Sequence, residues 1–303
     1  MAGPVEILRA NRARVLRTAE TTDVNAVNRL LADARRELER RLADAKRRGL
    51  GERYTADRIR ATIAVVRDVQ DHLARAMHAN AKDRFRKLAE RGIEDVARYV
   101  TAMEKRYTGV TPELAIDRAV RFDALVSGTE ASLLRQHEVS VDRYGTHMIG
   151  EMENAMRLGV ATGATTDQMI NAIVKTNAPE GWRPGEGMTA GEGKVAGEFV
   201  RQQYWAERIV RTESMFSYNS SGWRAMVETH DADFPDMKRI IVATFDSRTA
   251  DDSKYVHGQI RGVREQFYDG KKYYLHPPNR PNDRECVVAH RPHWPIPAVA
   301  QPR

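Results

Sequence analysis

Apolar residues recur every three or four positions along most of this chain and change to strict alternation only after Pro235. Ile59, Ile63, Val66, Leu73, Met77, Phe85 and Leu88 fall on one side of a 3.6-residue period, a stripe that a helix can bury and a strand cannot. Val195, Phe199, Ala206, Ile209, Phe216, Trp223 and Val227 mark a second long helix in the same way. Beyond Asp231-Ala-Asp-Phe-Pro235, Ile240, Val242 and Thr244 alternate with Ile241, Ala243 and Phe245, the two-residue period of a strand. The pattern predicts a mostly α chain with a small α+β C-terminal domain. Amphipathic helical hairpins come first, then a long helix packed on a short antiparallel β unit.

Punctuation refines that outline. Asp23 is a candidate cap before Val24, Val27, Leu30 and Leu31, and Thr55 a candidate cap for the next helix. Gly92 is expected to interrupt that helix before Ile93, Val96 and Val100 resume the stripe. Thr111 and Pro112 read as the cap and first residue of a further helix, which Ser127-Gly128 ends before another begins at Thr129. Thr165-Thr-Asp-Gln168 has the form of a capping box. Gly and Pro crowd the stretch 177–194, which places a linker there between a helical domain at 1–176 and an α+β domain at 195–291. Asp269-Gly270 marks a hairpin turn within Gln266–Tyr274, and Arg284–Ala289 is a further candidate strand. The tail 292–303, with four prolines, should lie extended.

Composition excludes several classes. One cysteine, Cys286, allows neither an internal disulfide nor a thiolate-rich zinc cage. No apolar run approaches the roughly 18–20 residues that span a bilayer, and the N-terminus lacks the apolar core of a secretory signal. The expected product is made in the cytoplasm and touches no membrane. A net charge of +7, spread among 49 basic and 42 acidic residues, permits nucleic acid as a partner without requiring it. His72, His78, His137 and His147 stand in no metal-ligand spacing. The glycine-rich stretch lacks the lysine-serine pair of a nucleotide loop.

Polar residues with potential chemistry gather late in the chain. Arg208, Arg211 and Glu213 sit among the apolar positions of the second long helix, and such charges survive burial only when paired. Asp246 and Arg248, arriving on the first strand, are the expected partners. Taken in order, Arg208-Ile-Val-Arg211-Thr212-Glu213, Asn219, Phe-Asp246-Ser-Arg248, His257-Gly258 and the Pro277-Pro278…Arg284 close resemble the phage Mu F-like minor head proteins, the phage head morphogenesis family. The resemblance covers about the last hundred residues. It implies a minor capsid protein inside the virion, associated with the portal protein at the portal vertex, with major capsid or scaffold protein and double-stranded DNA as further partners. It also implies a structural protein with no enzyme activity.

Many members of that family carry a Cys-x-x-Cys after the Asp-x-Arg and a cysteine-rich close after the double proline. Here Ala250 and Ser253 stand at the first pair, and the close offers Asp283, Arg284, Glu285 and Cys286. One thiol cannot rebuild a tetrahedral zinc site, so neither metal nor other cofactor is expected. The principal alternative is a capsid-internal DNA-binding or ejected protein. A second is a metal-dependent nuclease built from His257, His276, Asn279, Asn282, Asp283 and His290, although a proline-rich tail follows where that fold needs a ligand-bearing helix.

Overall fold

The computed structural model describes residue 13 and residues 17–47, 56–161, 190–243, 249–279 and 285–301. It is mostly helical, with its strands confined to the C-terminal region, as the change of period predicts. A π-helical turn at Ala19–Asp23 runs directly into helix α1, Val24–Arg47, so Asp23 is part of a helical turn rather than a cap outside one. Helices α2 (Ala56–Thr108), α3 (Ala119–Ala161) and α4 (Ala190–Ala232) follow. No helix among the described residues is long and apolar enough to cross a membrane.

These helices are longer and fewer than the glycines and prolines suggest. Helix α2 runs 53 residues without a break at Gly92, and α3 continues through Ser127-Gly128. A helical glycine costs only about 1 kcal/mol relative to alanine, and flanking apolar contacts outweigh that. Thr111 and Pro112 do not start a helix. The chain is irregular from Gly109 to Leu114, turns once as a 3-10 helix at Ala115–Asp117, and enters α3 at Ala119. Gly109, at φ +75°, ends α2 in a conformation that suits glycine. The C-terminal residues of the expected 177–194 linker, Ala190–Lys194, already belong to α4. The Thr165 capping box and the rest of that linker lie outside the described residues.

Two compact units emerge, and neither is a continuous stretch. One comprises Met1–Thr22, Lys82–Arg135 and Val210–Arg303, and the other Asp23–Ala81 and Gln136–Ile209. The sequential division into 1–176 and 195–291 is therefore not the division the packing makes. Helices α2, α3 and α4 each contribute a segment to both units, which no local linker composition can signal.

In the first unit a three-stranded antiparallel sheet has the order β2-β1-β5. Its strands are β1 (Lys238–Val242), β2 (Ile260–Gly262) and β5 (Cys286–His290). Central β1 sets Ile240 opposite both Ile260 and Val288. Its alternate residues face different surroundings. Ile240 and Val242, with Cys286 and Val288, join a core with Ile93, Val96 and Val100 of α2, Val126 of α3 and Met226 of α4. Ile241 faces the other way, into a small cluster with Phe267 and with Val256 of the short helix α5, Asp251–Val256. The hairpin β3 (Phe267–Tyr268) and β4 (Tyr273–Tyr274) forms where Asp269-Gly270 places it. Asp269 Oδ1 accepts from the Lys271 and Lys272 N–H groups, and Gly270 adopts φ +93°. The proline-rich tail is less extended than expected. It makes a 3-10 turn at Ala298–Ala300 and buries Trp294 in the main core.

In the second unit Val24, Val27 and Leu31 of α1, Leu73 and Met77 of α2 and Val141 of α3 are buried. Asn28 Nδ2 donates to Glu207 Oε1 at 3.0 Å, and Arg41 of α1 pairs with Asp68 of α2. His78 and His137 stack with ring centroids 5.8 Å apart.

Candidate functional site

Helix α4 holds the first part of the motif set, and one member of it, Glu213, pairs with α2. Arg84 Nη2 lies 3.1 Å from Glu213 Oε2, with the two side chains 4% and 11% exposed. Glu213 thus gains its cation from a residue more than a hundred positions upstream. Asp246 and Arg248, the partners expected from sequence, lie outside the described residues. Further along α4, Ser217 Oγ donates to the Phe85 carbonyl at 3.2 Å and Tyr218 Oη to Asp95 Oδ2 at 2.9 Å. Burial pushes the Asp95 carboxyl above its usual range, while the Tyr218 hydrogen bond and the Arg91 charge pull against it. Arg208, Arg211 and Thr212 are half-buried. Asn219 is 7% exposed, and its Nδ2 meets no acceptor.

Gly92 explains how the two helices come so close. A β-carbon there would lie 2.2 Å from Ser221 Oγ and 2.5 Å from the Tyr218 carbonyl oxygen. Gly222 faces it across the crossing, its own β-carbon position 3.6 Å from the Gly92 carbonyl. The glycine expected to break the helix is instead the point at which α4 rests on it.

His257 and Gly258 secure the end of β1 and the tail. The Ala243 N–H donates to His257 Nδ1 at 3.1 Å, leaving Nε2–H to donate to the Gln301 carbonyl at 3.2 Å. The imidazole is therefore neutral with its proton on Nε2, and both nitrogens are engaged by backbone. Gly258 sits at φ +79°, and a β-carbon would be 2.6 Å from the Ala300 carbonyl oxygen. Pro277 and Pro278 are joined by a cis peptide. His276 lies beside two α4 rings, with centroids 4.8 Å from Phe216 and 5.7 Å from Trp223. Arg284 lies outside the described residues.

Burial lowers the His276 pKa from 6.5 to about 4, against a hydrogen bond with the Pro277 carbonyl and with help from the charges of Arg239 and Arg224. Because the folded value lies below the unfolded one, the unfolded chain binds the extra proton between these two values. Stability is then complete above about pH 6.5 and falls as pH drops toward 4, by up to roughly 3 kcal/mol. In His276→Gln this portion of the acid loss should vanish. Urea unfolding at about pH 7 and pH 4 checks it, and an unchanged pH slope would contradict the assignment.

Two structural residues escaped the sequence reading. Arg239 in β1 is fully buried, donating to the carbonyls of Gly262, Glu265 and Leu275 and lying 4.7 Å from the Phe267 ring centroid. It shares the strand face of Ile241, so the signal was an arginine in a strand whose two faces are both apolar. Glu104, near the end of α2, accepts on Oε1 from Arg291 at 2.7 Å, Trp294 Nε1 at 2.9 Å and His293 Nε2 at 3.2 Å. No local pattern marks a lone glutamate as the anchor of a distant tail.

The described residues of the nuclease alternative, His257, His276, Asn279 and His290, are not assembled into one centre. His290 pairs with Lys238 at the start of β1, whereas His257 binds Ala243 just past its end. Five strand positions separate them by roughly 16 Å. Asn279 Nδ2 donates to Asp269 Oδ2, while Asn282 and Asp283 lie outside the described residues. Among the described residues no group of three or more His, Cys, Asp or Glu side chains is placed to hold a metal ion. Cys286 is buried in the sheet. The chain matches no protein-family model, no curated protein and no solved structure.

Proposed function

We propose that this chain is a minor head protein of a tailed phage, bound at the portal vertex inside the capsid and acting through contacts rather than catalysis. The observation that carries the proposal is the ordered motif set, from Arg208 to the double proline, several of whose described members are engaged by other parts of the chain. Glu213 is paired with Arg84, His257 is held by backbone at both nitrogens, and Gly258 is closed over by the tail. Groups spent on internal hydrogen bonds are poor acids, bases or ligands, and they suit a module whose outer surface does the work. Portal protein is the primary partner of this reading; major capsid or scaffold protein and packaged double-stranded DNA are further ones.

Co-expression with the portal protein of the same phage tests it. The tagged full-length chain should retain portal protein on an affinity resin, and a folded chain that lets portal protein pass would contradict the proposal. Deleting the chain from Lys194 onward is not a usable control. It would remove α4, on which the Lys82–Arg135 segment of the same unit packs.

A further inference from the structure

Buried and half-buried arginines in the first unit have partners as a rule. Arg84 has Glu213, Arg91 has Asp95, Arg291 has Glu104 and Asp236, and Arg239 has three backbone carbonyls. Arg224 of α4 breaks that rule. It is half-buried, yet no carboxylate among the described residues pairs with it, and the charge that acts on it is a second cation, Arg135. Burial first, and Arg135 second, push its pKa below the usual guanidinium value. Two like charges held together in this way cost stability and gain nothing from one another.

The local sequence makes room for this arrangement. Gly128, Ser132 and Arg135 lie at i, i+4 and i+7 on α3 and so share one helix face. Arg224 Nη1 is 3.3 Å from where a β-carbon on Gly128 would stand, so the glycine lets the guanidinium lie against α3. One α4 turn further along, Glu228 pairs with Arg121 of α3 at 3.2 Å, which fixes the register of the two helices. Glu228 is thereby engaged elsewhere. On this α3 face Gly128 is exposed and Ser132 half-buried, with the Arg224 guanidinium against Gly128 and the exposed Arg135 two turns further along.

We propose that Arg135 and Arg224, with the Gly128–Ser132 face between them, form a binding site for a phosphate oxyanion. A carboxylate presents two oxygens and one charge, which one guanidinium fork satisfies. A phosphate presents more oxygens and up to two charges, enough to engage both forks, and an uncompensated arginine pair matches that chemistry. The proposal is independent of the portal reading and holds whether or not portal protein binds.

Thermal unfolding of the full chain at low ionic strength tests it, with inorganic phosphate compared against chloride and glutamate at matched ionic strength. At about a hundredfold excess over its Kd, phosphate should raise the Tm of the wild-type chain by several degrees. Arg135→Gln, a change at an exposed position, should unfold at or slightly above the wild-type temperature without phosphate and lose the phosphate shift. Arg224→Gln should lose the shift too, and without phosphate it should be no less stable than wild type, because an unpaired cation is gone. No shift in the wild type, an equal shift in Arg135→Gln, or an equal shift with glutamate would overturn the site. A short DNA oligonucleotide distinguishes the source. An Arg135-dependent shift with the oligonucleotide assigns the phosphate to a nucleic-acid backbone, and a shift with inorganic phosphate alone assigns it to a free phosphate or monoester.

Discussion

Arg239→Met should destabilise the protein by about 3–5 kcal/mol, the largest loss expected of a single polar side chain here. The arginine ties together three segments of the chain. Its guanidinium donates to Gly262 at the end of β2, to Glu265 in the following turn and to Leu275 just after β4. Methionine fills similar volume and keeps contact with Phe267, but it takes a donor from three carbonyls, of which Gly262 keeps the Glu265 N–H. Part of that loss is offset because a buried cation disappears. Burial lowers the Arg239 pKa to about 10, so the group is charged at neutral pH and its desolvation is a real cost. Arg239→Lys should recover little, since one ammonium cannot span the three directions that a planar fork reaches. Urea unfolding measures both variants, and a loss under about 1 kcal/mol for methionine would show that the carbonyls find other donors.

Gly92→Ala should destabilise as well, against the ordinary sign of that change. In an unconstrained helix, alanine gains up to about 1 kcal/mol over glycine. At Gly92 the new methyl would meet the Tyr218 carbonyl oxygen at 2.5 Å, and backbone cannot swing aside as a side-chain end can. The expected net loss is about 1–3 kcal/mol, carried by displacement of α4 and strain on the Tyr218–Asp95 and Arg84–Glu213 contacts. Gly145→Ala is the matched control. Nothing lies within 4 Å of its β-carbon position, so that variant should be neutral or slightly stabilised. Equal and favourable changes at both glycines would mean that the helices do not cross at Gly92.

What the sequence makes legible is what depends on near neighbours. The helical period, the switch to alternation after Pro235 and the Asp269-Gly270 hairpin are local signals, and the helices, β1 and the hairpin are found where expected. The first stripe buries Leu73, Met77, Phe85 and Leu88, whereas in α4 Ile209, Phe216, Trp223 and Val227 are half-buried and Val210, Met215 and Met226 are buried instead. What is hidden depends on partners far away in the chain. Gly92 looks like a breaker until Tyr218 and Ser221 are placed against it. Glu213 needs a cation, yet nothing nearby identifies Arg84 as the one. The discontinuous units have the same cause, because an amphipathic stripe shows that a helix is buried and not against what. Arg239 was within reach of closer attention, since a charge between apolar strand positions calls for a satisfied burial.

The motif residues read as structural contacts, and among those described Glu213, His257 and Gly258 meet other parts of the chain. The portal reading therefore stands on the resemblance and on the internal engagement of these groups. Its most direct test is the affinity capture of portal protein by the tagged full-length chain, repeated with Glu104→Gln. Glu104 anchors the tail of the same unit through Arg291, His293 and Trp294. The account predicts that portal protein is retained by the wild-type chain and retained less when that anchor is weakened. Portal protein in the flow-through of a fully folded wild-type chain would contradict it.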